Sequence, residues 1–435
     1  MKHMELHILQ SVPVACLNRD DLNSPKTAVF GGVQRARVSS QSWKRAIREM
    51  ANKELDNSGQ FKGERSRLFL EKISSELKKL GESEGIANAL SLCAGHYLAK
   101  LDPKQEGKVK TLVFLSPLEY EIFANVLFSL KDDDKQKLVE AITSVDKEKL
   151  AKEEANEEDV DEEEPVKKKK GEKKLTAKEF GKLAAKILKT PIEKAFKGDK
   201  KETKSLPKDA ADIALFGRMV ANDPSLTVEA ASMFSHALSA HKVDNEIDFF
   251  AAVDDLQPKE ETGAGMTSTL EFNSATYYRF AALNLDMLAD AEHLASMTRE
   301  ERQNVVRTFV EATVKAIPGA RKNTMNSNTL PDYVLGVVRE KGHPIQLVNA
   351  FENPIKSTQG YVVESIKRLN AEYSDLQETW GIEGSAKITI KKSLKDQVNG
   401  ESGKKSEDKS GENTIDGLEV VSLNELIEEV VKHVI

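Results

Sequence analysis

Cysteine and the short motifs typical of metal or catalytic sites are scarce in this chain. Its 435 residues include two cysteines, Cys16 and Cys93, which form no CxxC pair. We therefore expect neither a disulfide framework nor a cysteine-rich metal site. The sequence also has no HExxH motif, no paired ligand spacing and no nucleophile elbow, so we predict no enzymatic activity and no metal or cofactor.

Long apolar runs are missing as well. No run reaches the roughly 20 residues that cross a bilayer, and the first residues lack the basic and then apolar order of a secretory signal. Hydrophobic residues make up 39% of the chain, which is enough for a sizeable core. The length suggests two or three domains. We expect a cytoplasmic protein that does not contact a membrane.

Cations are concentrated in one stretch of an otherwise acidic protein. The whole chain carries a formal charge of −7, whereas residues 19–48 contain seven basic and two acidic side chains, a local balance of +5. The basic residues are Arg19, Lys26, Arg35, Arg37, Lys44, Arg45 and Arg48. A local positive potential of this kind predicts a polyanionic partner.

The same stretch has a pattern that predicts a hairpin followed by a helix. The glycines at 31–32 permit a tight turn, and Arg35 and Arg37 alternate with small or apolar residues as in a half-buried strand. Either Ser39 or Ser40 suits the N-cap of the helix that follows. The apolar face of that helix would consist of Trp43, Ala46, Ile47 and Met50.

Three cations, Lys44, Arg45 and Arg48, fall outside this apolar face. The unpaired N–H groups and the positive dipole end at the helix start combine with them into a geometry that suits phosphate groups. Arginine adds a planar fork for phosphate oxygens. On charge alone, the alternative is a solvated helix face beside a basic hairpin.

Motifs spread over most of the chain carry a family resemblance. The first, ACLNRDD at 15–21, continues through FGG at 30–32 and RARVSSQSWKRA at 35–46. The others are DIALFGRM at 212–219, SHA at 235–237, HKVD at 241–244, IDFFAAVDDLQ at 247–257, EF at 271–272, YYRF at 277–280 and IPGAR at 317–321. In these motifs the chain resembles the CasC-like backbone subunit of the type I-E CRISPR Cascade complex. The resemblance fades between about 51 and 205 and beyond about 385.

The resemblance implies both a fold and a function. The fold would be α/β, with an RRM-like (ferredoxin-like) palm, a helical finger insertion and a β-hairpin thumb. The palm would comprise residues 1–50, 206–242 and 277–435, the fingers 51–205 and the thumb 243–276. The protein would bind guide RNA (crRNA), polymerise head to tail along its spacer beside other Cascade subunits, and present guide bases for pairing with target DNA.

The resemblance also assigns contacts to individual residues. The family's guide-backbone contacts fall on Lys26, Ser39, Gln41, Lys44, Arg45 and Arg48. Cations neutralise phosphates, and serine and glutamine side chains donate to the same oxygens. Arg19, Arg35 and Arg37 complete the predicted RNA-binding set by their charge. Val33 and Gln34 stand where a more basic pair is expected, which is a departure from the family pattern.

The predicted thumb begins with Phe249, Phe250 and Ala251. In the family, the thumb folds over guide RNA held by the next subunit, and the aromatic pair with Met219 helps to splay out one nucleotide. A bulky apolar side chain can unstack a base step in this way. From the residues alone, the alternative for Phe249 and Phe250 is ordinary core.

Other patterns predict the remaining elements. These are a first strand with one buried face at 4–9, helices within 51–145, at 209–219 and at 232–240, a strand at 276–285, a helix from 299 to 317 and an amphipathic helix at 422–435. Capping boxes at Thr298 and Ser422 mark the starts of the last two helices. Two low-complexity segments, at 146–174 and 391–413, predict a mobile charged loop and a polar linker. Contact between nucleic acid and the lysines at 167–170 is an alternative for the first segment.

Two further functions are left open. A metal-dependent, RNA-guided nuclease subunit would use carboxylates or histidines from the set Asp20, Asp21, His236, His241, Asp244, Asp248, Asp254 and Asp255. A protein–protein scaffold would assemble without nucleic acid. We prefer guide-RNA binding, because adjacent carboxylates point to opposite faces of a strand and no ligand spacing accompanies the histidines.

Overall fold

The computed structural model describes residues 1–105, 107–145, 175–197, 206–252, 255, 266–399 and 413–435. The described residues exclude the predicted charged loop at 146–174 and positions 400–412 of the predicted polar linker. They also exclude positions 253–254 and 256–265 of the predicted thumb, and with them Asp254. The chain divides into two compact units. Unit 1 comprises Met1–Asn57, Ser232–Met287 and Arg299–Ile435, and unit 2 comprises Ser58–Ala231 and Leu288–Thr298.

Strands and helices alternate along the chain. The strands are β1 (His3–Ala15), β2 (Thr27–Phe30), β3 (Val33–Val38), β4 (Glu64–Ser66), β5 (Val113–Leu115), β6 (Ser232–Phe234), β7 (Ala237–Ser239), β8 (Glu246–Ala252), β9 (Met266–Asn284), β10 (Tyr333–Arg339), β11 (Ser385–Ile390), β12 (Thr414–Ile415) and β13 (Leu418–Val420). The α-helices are α1 (Ser40–Met50), α2 (Leu70–Lys79), α3 (Glu84–Ala99), α4 (Pro117–Phe128), α5 (Asp132–Ser144), α6 (Ala177–Lys197), α7 (Ala211–Phe216), α8 (Leu285–Leu288), α9 (Arg299–Lys315), α10 (Val362–Trp380), α11 (Lys392–Val398) and α12 (Leu423–Lys432). A π turn, Ala51–Leu55, continues α1, and 3₁₀ turns lie at Pro224–Leu226 and Val348–Phe351.

Unit 1 is built on a sheet to which 11 of the described strands belong. The main order is β12-β13-β11-β10-β1-β9-β7-β3-β2, and β6 and β8 also pair with β9. Neighbours are antiparallel except β11 and β13, which are parallel. Strand β1 is central, with Leu6 opposite Gly336 of β10 and Ala281 of β9.

Both faces of β1 are covered, which corrects the prediction of a strand with one buried face. On one face, Leu9 belongs to a core cluster with residues of β9, β10 and α10. On the other face, the Arg279 guanidinium of β9 lies 3.7 Å from the ring centroid of Trp43 in α1. The polar residues Glu5 and His7 are consequently interior, and hydrogen bonds satisfy them there.

The helix predicted for 232–240 is wrong. This segment forms β6 and β7, which pair with β9: Met233 lies opposite Ala282, and Leu238 lies opposite Tyr278. Strand preference depends strongly on the neighbouring strand. Here β9, which is distant in sequence, supplies pairing partners that override the local helical pattern.

Several other predicted elements are confirmed. Strand β9 includes the predicted segment 276–285 up to Asn284 and buries Tyr278, Phe280 and Ala282 in one cluster. Helix α12 begins at a capping box in which Ser422 and Glu425 bond reciprocally. Its apolar face packs within unit 1, where Arg299 of α9 donates to the Val434 carbonyl oxygen.

Unit 2 is mainly helical in its described part, as predicted for 51–145. Its core is formed by α2 to α6 together with the β4–β5 pair. Leu70, Ile73 and Leu77 form the buried stripe of α2, whereas Leu68 and Leu80 are exposed. Residues 206–231, predicted from the sequence to belong to the palm, fall in unit 2. No helix in the described ranges is long and apolar enough to cross a bilayer.

Candidate nucleic-acid interface

The basic stretch begins with a β-hairpin formed by β2 and β3. Phe30 lies opposite Val33, and the two intervening residues, Gly31 and Gly32, have φ angles of +60° and +76°. Two consecutive positive φ values are typical of the turn that matches the twist of a two-residue hairpin. A Cβ added to Gly31 would lie 1.7 Å from the Glu352 carbonyl oxygen, so only glycine fits this approach.

Arg35, in strand β3 of this hairpin, has a fully buried side chain. Its guanidinium donates to the carbonyl oxygens of Phe30, Ser239, Phe351 and Glu352. Burial lowers the pKa of the side chain. The strand predicted here is confirmed as β3, with Ala36 and Val38 buried and Arg37 partly exposed, but Arg35 departs from the pattern because these carbonyls hold it inside. The geometry does not favour a contact between Arg35 and nucleic acid.

The segment before the hairpin is tied to the start of α1 through Asn18. The Asn18 carbonyl oxygen accepts from the Lys26 N–H at 2.9 Å, and its side-chain oxygen accepts from the Ser39 N–H at 3.0 Å. The Arg37 N–H donates to the Lys26 carbonyl oxygen, and Arg37 Nε donates to Thr27. Lys26 and Arg37 are therefore held close to the first turn of α1, both partly exposed.

Helix α1 begins at the predicted N-cap, Ser39. Its Oγ accepts from the Ser42 N–H at 3.3 Å. The Ser40 N–H donates to Nδ1 of His236 at 3.0 Å, which requires that nitrogen to be unprotonated. Burial, followed by the charges of Arg37 and Lys26, lowers the pKa of His236 and favours this neutral form.

The polar side chains of α1 lie together on one arc. At about 100° per residue, Gln41, Lys44, Arg45 and Arg48 fall within an arc of roughly 100°. Trp43 and Ile47 are buried on the opposite side. Four of the predicted contacts thus share one face, next to the Ser39 cap. We call this set, Gln41, Lys44, Arg45 and Arg48, the polar arc.

The cations of the polar arc differ in their surroundings. Lys44 Nζ lies 5.4 Å from the centroid of the Phe234 ring, and burial lowers its pKa. The Arg45 side chain is 76% exposed and pairs with Glu49 at 2.8 Å. The hydrogen bond from Arg45 lowers the pKa of Glu49. An exposed pair of this type is weak, so a phosphate can compete for Arg45.

A groove of about 860 Å³ lies beside the polar arc, entirely within unit 1. One wall is the side of α1 and its π turn that carries Ser42, Arg45 and Glu49. The opposite wall is the loop that follows α9, including Pro318 and Gly319. Further lining residues are Arg19, Lys53, Glu54, Lys322, Asn323, Asn326, Ser327 and Asn328. Arg19, an exposed member of the predicted set, donates to Asn23.

The predicted thumb is a hairpin in its described part. Strand β8 pairs antiparallel with β9, with Phe249 opposite Thr269 and Phe250 opposite Ser268. Phe249 is 66% exposed, Phe250 is half-buried and Ala251 is exposed, so the alternative of ordinary core is wrong for Phe249. An exposed apolar side chain on such an arm is available to a partner.

The root of the thumb is joined to the basic segment by Asn245. Its Nδ2 donates to the Pro25 carbonyl oxygen at 3.4 Å and to Glu271 at 3.1 Å. Asn273 in turn donates to the Asn245 side-chain oxygen. Met219 belongs to unit 2, where it is 82% exposed and follows Arg218, whose guanidinium binds the buried carboxylate of Glu119.

Several of the residues considered as metal ligands serve local structure. His241 Nε2 accepts from the Thr276 N–H, and its ring stacks on Tyr361 with 3.7 Å between centroids. Asp20 accepts from the N–H groups of Leu22 and Ser24. Within the described ranges, no group of three or more His, Cys, Asp or Glu side chains could hold a metal ion.

Comparison with known proteins identifies the family. A family model described as CT1975-like protein matches residues 4–418. The chain belongs to the CT1975-like family. The match includes 51–205, where the resemblance of individual motifs fades, so the family relationship covers both units.

Solved structures share the fold of this CT1975-like chain. One chain, from a CRISPR RNA-guided surveillance complex in a pre-nicking state, is similar over 98% of this chain and 100% of its own, with a TM-score of 0.68 and 26% identity. A second, from a CRISPR RNA-guided surveillance complex, covers 99% of each chain with a TM-score of 0.60 and 23% identity. No curated protein matches the sequence. The mixed α/β fold is thus shared with subunits of such complexes.

Sequence reasoning on the CT1975-like chain missed the far wall of the groove. Lys322, Asn323 and Asn328 lie in the loop after α9, which carries no concentration of charge. The one available signal was the IPGAR motif at 317–321, which forms the first part of this loop.

Proposed function

We propose that this CT1975-like protein is the guide-RNA-binding backbone subunit of a Cascade-type CRISPR surveillance complex, of type I-E. The observation that carries the proposal is the polar arc, which lies on one face of α1 beside the Ser39 cap and the partly exposed cations Lys26 and Arg37. The similarity to surveillance-complex subunits supports the same role.

The chemistry of this face suits a sugar–phosphate backbone. Lys44, Arg45 and Arg48 neutralise phosphate charge, and the dipole at the start of α1 favours anions. Gln41 is exposed and can donate to phosphate oxygens, whereas Ser39 is only 8% exposed and serves as the helix cap. Contacts of this kind carry no sequence information, which a protein that holds any spacer requires. Target DNA would be recognised by pairing with the guide bases.

The strand order supports an RRM-like palm. Strands β10, β1, β9 and β7 are consecutive neighbours in an antiparallel order. Helix α1 lies between β1 and β7 in the sequence, and α9 lies between β9 and β10. This is the β-α-β-β-α-β arrangement of ferredoxin-like folds. In our proposal, α10, α11 and the strands from β11 onward are additions to that palm.

The thumb provides the second half of the proposed assembly. Phe249 and Phe250, on the β8–β9 arm, would wedge into the guide RNA held by the next copy, with Ala251 beside them. Met219 of unit 2 would contact the displaced nucleotide. A palm that binds RNA and an arm that binds the neighbour's RNA form a heterologous contact, which generates a helical filament. Other Cascade subunits would cap this filament in the cytoplasm.

We assign no catalysis to this chain. The proposal therefore predicts that RNA and DNA incubated with the purified protein and Mg²⁺ or Mn²⁺ stay intact. Cleavage that depends on the divalent ion and is lost in Asp20→Asn would favour the nuclease alternative instead.

Binding of single-stranded RNA tests the proposal directly. Lys44→Ala combined with Arg48→Ala should weaken binding equally for RNAs of unrelated sequence. It should reduce the slope of log K against log salt by about 1.4, since each phosphate contact contributes about 0.7 for single strands. The matched control is Lys367→Ala with Lys392→Ala, two exposed lysines outside the site.

Two results would contradict the proposal. The first is unchanged affinity in the Lys44 and Arg48 variant, and the second is affinity that depends on base identity. A native assembly whose ultraviolet absorbance shows no nucleic acid would favour the scaffold alternative.

A further inference from the structure

The groove beside the polar arc has a chemistry that phosphate binding does not explain. Its lining carries four cations, Arg19, Arg45, Lys53 and Lys322, but also two carboxylates, Glu49 and Glu54. A carboxylate repels phosphate oxygens, whereas it accepts hydrogen bonds from hydroxyl groups. The groove is therefore suited to a ligand that carries hydroxyl groups next to phosphate.

Three amide side chains lie in the far wall. Asn323, Asn326 and Asn328 are exposed and line the groove. The side-chain oxygen of Asn326 accepts from the Asn328 N–H at 3.2 Å and so shapes the loop. The side chains of Asn323 and Asn328 make no hydrogen bond to a described residue, so their donors and acceptors are available to a ligand.

Resting on the proposed function, we infer that this groove holds the ribose edge of the bound guide and distinguishes RNA from DNA. The 2′-hydroxyl is both a donor and an acceptor, and it is the group by which a protein separates the two nucleic acids. An asparagine amide can satisfy both of its roles. Arg45, which belongs to the polar arc and to the groove, would hold the adjoining phosphate on the wall that faces these amides.

The size of the groove is consistent with this ligand. Small-molecule sites have volumes of about 300–1,000 Å³, and the groove has about 860 Å³. Ala46 and Ile317, both partly exposed, supply apolar surface on which the sugar can lie. Base identity plays no part in these contacts, so the selectivity concerns the sugar alone.

Competition between matched oligonucleotides tests the inference. The full-length protein is titrated with a labelled single-stranded RNA and with the DNA of the same length and sequence. The wild-type protein should prefer RNA, and Asn323→Ala with Asn328→Ala should weaken RNA binding about ten-fold while DNA binding changes less than about two-fold. The control variant, Asn353→Ala with Asn424→Ala, removes two exposed amides outside the groove and should keep the wild-type preference.

The possible outcomes separate the two proposals. An unchanged preference in the Asn323 and Asn328 variant, or equal loss of RNA and DNA binding, overturns the ribose inference but leaves guide binding intact. Equal wild-type affinity for both strands also overturns it. If the wild-type protein binds neither strand, the proposed function falls and the inference falls with it. Because both asparagines are exposed, the variants should unfold at the wild-type temperature.

Discussion

The guanidinium of Arg35 donates to the main-chain oxygen of Phe351 at 2.7 Å, which joins the basic hairpin to a distant 3₁₀ turn. The same side chain binds carbonyl oxygens of Phe30, Ser239 and Glu352. One buried arginine thus holds the hairpin against residues 239 and 351–352. Arg35 therefore helps to position the cations of the proposed interface, although Arg35 is itself buried and not part of that interface.

Arg35→Ala should destabilise the protein strongly. Its removal leaves several buried carbonyl oxygens without a donor, each at a cost of about 1–3 kcal/mol. We expect a loss of about 3 kcal/mol or more in the free energy of unfolding, measured by urea titration. Arg37→Ala is the control, since Arg37 is partly exposed and should cost less than about 1 kcal/mol. Equal stability of the two variants would contradict the structural role of Arg35.

Gly31→Ala and Gly32→Ala should differ in stability. Both residues have positive φ, so alanine strains each of them by about 1 kcal/mol. The added methyl at position 31 also collides with the Glu352 carbonyl oxygen, whereas position 32 faces open space. Thermal unfolding should therefore show a larger decrease for Gly31→Ala, with a further loss of RNA affinity because the hairpin must shift. If Gly32→Ala proves the more harmful, this account of the turn is wrong.

Replacing Phe249 and Phe250 by alanine should impair pairing with target DNA more than loading of the guide. In our proposal, guide binding depends on the polar arc, while the wedge acts on the base step held by the neighbouring copy. Phe249 is largely exposed, so the double variant should keep most of its stability. Guide loading and strand exchange with a target duplex are the two measurements. Equal loss of both would indicate that the aromatic pair supports the fold.

Stability should fall as the pH drops below about 6.5, in part because of His7. Its Nδ1 accepts from the Tyr278 hydroxyl, and its Nε2 donates to Glu5, whose other oxygen accepts from Arg339. Burial lowers the pKa of His7 from the usual 6.5. The unfolded chain then takes up a proton that the folded chain does not bind, so acid favours unfolding below the unfolded-state value.

Glu5, the carboxylate of this network, affects the stability at lower pH than His7 does. Burial alone would raise the pKa of Glu5, but hydrogen bonds from His7 and Arg339 outweigh it and lower the pKa. The stability from Glu5 is present above its unfolded-state pKa of 4.5 and is lost as the pH falls through the folded-state value. Urea titrations of wild-type protein and His7→Gln between pH 7.5 and 5 would separate the two groups. In the variant, the free energy of unfolding should fall less steeply with decreasing pH, by up to about 1.4 kcal/mol per pH unit. An unchanged slope would exclude His7 as a source of the pH dependence.

The sequence predicted features that depend on neighbouring residues and missed those that depend on distant ones. The Ser39 cap, the turn at Gly31 and the face opposite Trp43 follow from local geometry, and the structure has them. The burial of Arg35 could not be foreseen, because its acceptors come from residues 239 and 351–352. The strands β6 and β7 were missed for the same reason, since their partner β9 follows later in the chain.

The candidate site shows the same division. The polar arc was predictable because its members recur at helical spacing within eight residues. The asparagines at 323–328 in the far wall of the groove could not be predicted, because an asparagine-rich loop has no distinctive charge. Its place opposite α1 is a tertiary feature.

Strand β9 joins the two parts of the proposed assembly in one piece of backbone. Its residues up to Phe272 pair with β8 in the arm, and those from Asn273 onward pair with β1 at the centre of unit 1. At about 3.3 Å per residue, its 19 residues extend about 63 Å. The arm is therefore a projecting hairpin whose base is fixed in the central sheet. A force applied to the arm would be resisted by the hydrogen bonds between β9 and β1 and not by a hinge.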